Sequence, residues 1–156
     1  MVENGLYKIK NEYFLDFPHK NHIHNKKGRP YYYVVKDSCD IYWCIPLSSK
    51  VEAFRSKITT VENKRGKGKC ISYHIGIIGG KERAFRICDM IPLTDNYIEG
   101  KFILNNNHYV VRDSKLVREI GQKSRNYIKQ LELGRMHSQV DALNIRKILL
   151  DNQVKK

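Results

Sequence analysis

The sequence lacks any long apolar run. A membrane-spanning helix needs about 20 consecutive apolar residues, and no stretch approaches that length. The first ten residues, MVENGLYKIK, also lack the apolar centre of a secretory signal peptide. We therefore expect a cytoplasmic protein without a membrane partner.

Paired cysteines are absent as well. Cys39, Cys44, Cys70 and Cys88 are widely spaced, with no C-x-x-C pair among them. This spacing does not suit a zinc site, and cytoplasmic thiols stay reduced. We expect all four to be small buried hydrophobic residues.

Acidic clusters and nucleotide-binding motifs are missing too. The carboxylates are scattered and locally outnumbered by cations, which disfavours a two-metal nuclease. Nothing matches a Walker loop, a dinucleotide fingerprint, a zincin helix or a nucleophile elbow. We expect neither a metal nor another cofactor.

Positive charge is abundant. The 156 residues include 29 Lys and Arg against 16 Asp and Glu, a formal charge of +13. Such an excess indicates a polyanionic partner, with nucleic acid the first candidate and an anionic membrane surface the alternative.

The most informative stretch is Arg29–Lys50. Its two aromatic and β-branched runs, Tyr31–Val35 and Ile41–Ile45, flank a polar turn and predict a β-hairpin. After Pro46, the Ser49 and Glu52 pair is a capping-box pattern for a helix start. Ser48, Ser49 and Lys50 would then lie beside free N–H groups at a helix N-terminus, which suits a phosphate.

The rest of the chain predicts an α+β fold. Leu6–Ile9 reads as a short strand, Lys50–Ile58 as a two-turn helix, and residues 59–61 as extended. The predicted later elements are a second hairpin, Cys70–Ile78 and Lys81–Ile87 joined by Gly79-Gly80, and an extended piece at Tyr97–Leu104 before the Asn105–Asn107 turn.

Two C-terminal helices follow. Apolar residues recur at helical spacing from about Asp113 to the Leu133-Gly134 stop, and Ser138 with Asp141 is a second capping-box pattern. We therefore predict a single domain, 1–156, with a β-rich core over about 1–110 and helices over about 113–152. Its antiparallel sheet has about six strands and is partly covered by helices.

Basic loops and helix faces provide candidate RNA contacts. The glycine-containing turn at residues 64–69 holds four cations and either wraps a phosphate backbone or forms a solvated hairpin tip. Tyrosines of the first hairpin either stack on a splayed base or pack in the core. The residues assigned to RNA contact are Tyr31, Tyr33, Lys26, Lys27, Arg29, Lys64, Arg65, Lys67, Lys69, Lys115, Arg118, Lys123 and Arg125.

Three nearby histidines, His19, His22 and His24, suggest a metal site. No acidic or cysteine ligand lies among them, and the loop is basic. An exposed RNA-contacting loop is the better-supported interpretation.

RNA offers a cleavage route without metal, because its 2′-hydroxyl can attack the adjacent phosphate. Lys50 would neutralise the developing charge, and Ser48 and Ser49 would donate hydrogen bonds to it. The general base stays open among Lys50 with a lowered pKa, a tyrosine and a histidine. For Ser49, a plain helix cap is the non-catalytic alternative.

Two short motifs carry a family resemblance. The segments IYWCIPLSSKVEAF and DMIPL, within this order of elements, resemble the ToxN/AbiQ family of type III toxin–antitoxin endoribonucleases, with the CptN-like branch nearest. In that family the first motif forms the active site, and by position Ser48 and Ser49 match its hydroxyl pair and Lys50 its lysine. This sequence lacks the proline that often precedes the lysine, so Lys50 stands one position early.

The resemblance implies a compact twisted sheet, a barrel similar to Kid and MazF toxins, and metal-independent cleavage of cellular or phage mRNA. It further implies a small antitoxin RNA of repeated pseudoknots, which the toxin processes and which inhibits it in a closed protein–RNA assembly. Many members act in phage defence by abortive infection.

Two other classes remain. A non-catalytic RNA-binding module of a ribonucleoprotein needs only the basic loops and aromatic strands. A DNA-binding regulator would use the C-terminal helices, but the second of them lacks a basic, polar face for reading base edges.

Overall fold

The computed structural model describes residues 1–20 and 28–155. Its strands are β1 (Leu6–Ile9), β2 (Tyr31–Lys36), β3 (Tyr42–Ser48), β4 (His74–Ile78), β5 (Lys81–Phe85), β6 (Ile91–Leu93), β7 (Ile98–Lys101), β8 (Ile103–Leu104) and β9 (Asn107–His108). Its helices are α1 (Asn11–Asp16), α2 (Val51–Arg65), α3 (Ser114–Glu132) and α4 (Ala142–Val154).

Seven strands form one open antiparallel sheet. Their order is β4-β5-β3-β2-β1-β7, and β6 pairs with β3 beside this path, while β8 and β9 form a separate hairpin. The strand β3 therefore pairs with three neighbours, β2, β5 and β6. The predicted α+β class, antiparallel sheet and C-terminal helices are confirmed.

Both hairpins form where the sequence predicts them. Tyr32 pairs with Ile45 in the first. In the second, Gly79 and Gly80 have φ of 59° and 81°, angles that a tight turn requires and that glycine adopts without strain. The strand before this turn begins only at His74, four residues later than predicted.

Helix α3 matches the periodicity of its sequence. The carboxylate of Asp113 accepts hydrogen bonds from the backbone N–H groups of Lys115 (3.0 Å) and Leu116 (3.1 Å). Gly134 ends the helix at φ 71°, as a C-terminal glycine should. Leu116, Ile120 and the other apolar residues of this helix face the core.

Helix α2 extends seven residues beyond its predicted end at Ile58, to Arg65. Residues 59–61 were expected to be extended because β-branched residues favour strands, but they continue the helix. The hydroxyls of Thr59 and Thr60 each donate to the carbonyl four residues back, at 3.0 Å, which adds hydrogen bonds within the helix. Lys64 and Arg65 therefore lie in its last turn and not in a loop.

Neither capping box forms as predicted. The residue preceding α2 is Lys50, which makes no side-chain cap, and Ser49 is exposed. Before α4, Asp141 likewise caps nothing, whereas the Ser138 hydroxyl accepts from the N–H groups of Val140 (3.3 Å) and Ala142 (3.0 Å).

Three cysteines are buried as predicted, but Cys39 is exposed. It lies in the β2–β3 turn, where its N–H donates to the side chain of Asp37 at 2.9 Å, so the turn holds the thiol at the surface. All four are free thiols. Within residues 1–20 and 28–155, no helix is long and apolar enough to cross a membrane.

The Asp37 carboxylate ties α4 to the first hairpin. It accepts from Arg146 Nε at 2.7 Å, from the indole N–H of Trp43 at 3.4 Å and from two turn N–H groups, those of Cys39 and Ile41. Burial would raise the pKa of Asp37, but these hydrogen bonds outweigh it and hold the pKa below its usual value.

Asp37→Asn is expected to lower the free energy of unfolding at pH 7 by about 1.5–3 kcal/mol, the range for hydrogen bonds to a charged group. Because the folded pKa is depressed, this stabilisation is complete above about pH 4 and is lost as the pH falls through the folded pKa. Urea unfolding at pH 7 and pH 3 measures both effects. Asp40→Asn, which removes only an exposed ion pair to Lys36, is the control, and an equal loss in both variants would contradict the role of Asp37.

Candidate nucleic-acid interface

The predicted catalytic residues lie at the junction between β3 and α2. Ser48 is the last residue of β3, pairs with Ala84 of β5 and is buried, whereas Ser49 and Lys50 are exposed. The Ser48 Oγ accepts from the N–H of Lys50 at 3.1 Å, which folds the segment back at the start of α2. The first turn of α2 adds backbone N–H groups without intrahelical partners.

Two arginines bind backbone carbonyls at the end of β3. Arg29 Nη1 donates to the carbonyl of Leu47 at 3.3 Å, and the N–H of Arg86 donates to the carbonyl of Pro46 at 3.1 Å. Burial lowers the pKa of Arg29, and repulsion from Arg86 lowers it further against the opposing effect of Tyr31. An anion bound beside these two like charges would reduce that repulsion.

Arg86 itself is rigidly placed. Its Nε donates to Asp89 Oδ2 at 2.7 Å, and its guanidinium lies 4.9 Å from the ring centre of Phe54 on α2. Asp89 is only 4% exposed, so its charge depends on Arg86 for compensation. Burial nevertheless raises the pKa of Asp89 above its usual value.

An aromatic and cationic layer continues beside Arg86. Tyr73 packs on Phe54 with ring centres 5.1 Å apart, and Lys57 Nζ lies 5.2 Å from the centre of the Phe54 ring and 5.5 Å from that of Tyr73. Burial, followed by the hydrogen bond with Cys88, raises the pKa of the Tyr73 hydroxyl. Burial also raises the pKa of the Cys88 thiol, to about 12. Both groups are therefore protonated at neutral pH and do not serve there as general bases.

Sequence reasoning did not identify Arg86, Phe54, Lys57 or Tyr73. The available signal was the spacing of Arg86 and Asp89, three residues apart and directly before the Met90–Leu93 motif. That spacing suits an ion pair in a tight turn, and Arg86 does directly precede a 3-10 turn, Ile87–Asp89, that ends at Asp89.

The tyrosines assigned to RNA contact lie in the core. Tyr31 is 2% exposed and Tyr33 is 6% exposed, while Tyr32, on the opposite strand face, is fully buried. Phe14 covers Tyr31, Tyr42 packs against Tyr33 and Phe85 packs against Tyr32. Neither Tyr31 nor Tyr33 presents an open ring face to a base, so the burial supports the alternative core role.

The basic residues fall into two groups. Lys64, Arg65, Lys67 and Lys69 are exposed at the end of α2 and in the loop that follows. On α3, Lys115, Arg118 and Arg125 are exposed, whereas Lys123 is partly buried against β4.

Part of the basic loop before β2 lies outside the described residues. This applies to Lys26 and Lys27, and to His22 and His24. Arg29 and the partly buried His19 are described. Among the described residues, no group of three His, Cys, Asp or Glu side chains is placed to hold a metal ion.

The fold resembles that of one solved bacterial structure. No protein-family model matches the chain, and no curated protein matches it closely. A solved structure of ToxN, from work on a bacterial antiviral system regulated by a processed non-coding RNA, superposes with a TM-score of 0.57 over 92% of this chain and 95% of that chain. At 13% identity this likeness establishes a shared fold.

Proposed function

We propose that this protein is the toxin of a type III toxin–antitoxin system, a metal-independent endoribonuclease that a small RNA inhibits. The observation that carries the proposal is the Ser48–Lys50 junction, where two serines and a lysine stand at the change from β3 to α2, next to backbone carbonyls that Arg29 and Arg86 bind, in a fold shared with ToxN. The net charge of +13 suits an RNA ligand.

The proposed reaction is transesterification within the RNA. A base removes the 2′-hydroxyl proton, the 2′-oxygen bonds to the adjacent phosphorus, and the bond to the 5′-oxygen breaks as that oxygen gains a proton. The products are a 2′,3′-cyclic phosphate and a 5′-hydroxyl. The protein orients the RNA and places positive charge near the reacting phosphate. When no covalent enzyme intermediate forms, these two effects supply most of the rate acceleration in phosphoryl transfer.

Each residue has a distinct part. Lys50 neutralises charge on the nonbridging oxygens, and the exposed Ser49 hydroxyl donates to one of them. Ser48 already accepts from the Lys50 N–H, so its own O–H proton is the group available to the phosphate. Arg86, oriented by Asp89, supplies a second fixed cation.

The partners follow from the same proposal. The substrate is cellular or phage mRNA, and the inhibitor is a repeated, pseudoknot-forming antitoxin RNA that the toxin cuts from its precursor. Protein and RNA alternate in a closed assembly, and the CptN-like branch is the proposed subfamily. The antiviral system of the structural neighbour supports a role in phage defence.

Purified protein is expected to cut RNA equally well with and without excess EDTA, because no step uses a metal. The measurement is gel analysis of a labelled mRNA, with end-group chemistry showing cyclic phosphate and 5′-hydroxyl ends. An RNA whose riboses are 2′-O-methylated should resist cleavage and serves as the matched control. Bound but intact RNA would instead indicate the non-catalytic binding module.

A further inference from the structure

A second basic groove lies away from the Ser48–Lys50 junction. It consists of two adjoining cavities, of about 510 Å³ and about 320 Å³, that share Lys69 and Ile71 in their walls. The groove runs between the end of α2, the loop at residues 66–69, the start of β4 and the middle of α3. We call it the α2–α3 groove.

The α2–α3 groove is strongly cationic. The cations in its walls are Lys64, Arg65, Lys67, Lys69 and Lys123, and its carboxylates are Glu62 and Glu119. Glu62 accepts from the N–H of Gly68 at 2.9 Å, so one carboxylate is already used to fix the loop. Concave walls with an excess of one charge concentrate the field on a ligand of the opposite sign.

Lys123 is held in place without being neutralised. Its Nζ lies 2.9 Å from Nδ1 of His74, and Nε2 of His74 lies 3.2 Å from a Glu119 oxygen. Because an ammonium group only donates, Nδ1 accepts and the imidazole carries its proton on Nε2. Burial, then repulsion from Lys123, lowers the pKa of His74 to about 4 against the effects of Glu119 and Glu62. At neutral pH a neutral ring therefore positions a charged lysine.

The loop that carries Lys67 and Lys69 has a defined shape. Gly66 and Gly68 have φ of 109° and 77°, which favour glycine, and the N–H of Lys69 donates to the carbonyl of Gly66 at 3.2 Å. This turn fixes the backbone of both lysines in the wall of the groove.

The walls also contain groups suited to bases. Ile71 and Met136 are apolar and partly exposed, and Gln122 offers both a donor and an acceptor. A splayed base can pack on the apolar residues and hydrogen-bond to the amide, whereas stacked bases of a duplex cannot enter a cavity of this size.

We propose that the α2–α3 groove binds a single-stranded tract of RNA, with phosphates on Lys67, Lys69 and Lys123 and a base against Ile71. This inference rests on the proposed function for the identity of the ligand as RNA. β5 separates β4 from β3, so the β4 wall of the groove lies two strand spacings, about 10 Å, from the strand that ends at Ser48. One RNA strand can therefore occupy both, and the groove fixes which phosphate reaches Ser49 and Lys50.

The test uses a fluorescent 12-nucleotide single strand of mixed sequence with 2′-O-methyl riboses, which cannot be cut by the proposed reaction. In the full-length protein, K67Q/K69Q is compared with K101Q/K147Q, whose exposed lysines lie on β7 and α4, outside the groove. At about 150 mM salt the groove pair should bind at least tenfold more weakly. For this variant, the slope of the logarithm of the RNA-binding constant against the logarithm of the salt concentration should fall in magnitude by about 1.4, or 0.7 for each lost contact to single-stranded RNA.

Lys123→Gln is a second variant, with its melting temperature measured because Lys123 contacts His74. It should also weaken binding while the protein stays folded. Equal losses in the two lysine pairs, tighter binding of duplex RNA, or equal competition by a poly-glutamate peptide would overturn the groove as a single-strand site.

The proposed function fails separately. If the protein cleaves natural RNA and K67Q/K69Q binds as tightly as the wild type, the groove proposal is wrong and the nuclease proposal stands. If K67Q/K69Q loses binding selectively but the wild-type protein cuts no RNA, the nuclease proposal is wrong and the groove proposal stands.

Discussion

Lys50→Ala is expected to lower the rate of RNA cleavage by about 10²- to 10³-fold, the usual loss when one preorganised charge or donor is removed from a transition-state site. Lys50 follows Ser49 and immediately precedes α2, and in the proposed reaction its ammonium group offsets the charge that develops on the phosphoryl oxygens. Ser49→Ala should cause a loss of similar size. Single-turnover cleavage of a labelled RNA measures both.

Stability provides the matching control for these variants. Both side chains are exposed and the helix cap does not use them, so the melting temperature should stay within about 2 °C of the wild type. Lys101→Ala, an exposed substitution on β7, should leave both rate and stability unchanged. If both single variants, Lys50→Ala and Ser49→Ala, cut RNA at the wild-type rate, the assigned site is refuted.

Arg86→Ala is expected to cost about 3–5 kcal/mol of stability as well as activity, because it leaves the buried Asp89 carboxylate without its partner. It also removes the cation that lies over the Phe54 ring. Urea unfolding and single-turnover cleavage at a temperature where the variant is folded measure the two losses.

The double variant Arg86→Met/Asp89→Asn separates the two roles. It removes the unpaired charge and keeps similar volume, so most of the lost stability should return. Cleavage should remain at least 10²-fold below the wild type, because the guanidinium is still absent. Recovery of both properties would show that Arg86 only supports the fold.

Elements with strong local patterns were predictable from sequence. The β2–β3 hairpin and α3 follow from alternation, helical periodicity, the Asp113 cap and Gly134, all of which act within a few residues. The length of α2 was not predictable from sequence. Thr59 and Thr60 favour strands locally, but hydrogen bonds within the helix and packing on β4 and β5 extend it.

The candidate site divides in the same way. Ser48, Ser49 and Lys50 are adjacent in sequence, so one motif indicates them together. Arg86 reaches them only because β3 pairs with β5 across more than thirty residues of chain. The burial of Tyr31 and Tyr33 depends equally on distant segments, since alternation along a strand does not reveal that both of its faces are covered.

The pairing of β3 with three strands affects how this protein unfolds locally. Edge segments such as β4 and β7 can fray in local openings, but β3 separates from β2, β5 and β6 only when the whole sheet comes apart. The end of β3 is thus among the last parts of the chain to loosen. A molecule nicked or frayed at its periphery would keep the candidate site at the end of β3 assembled until it unfolds completely.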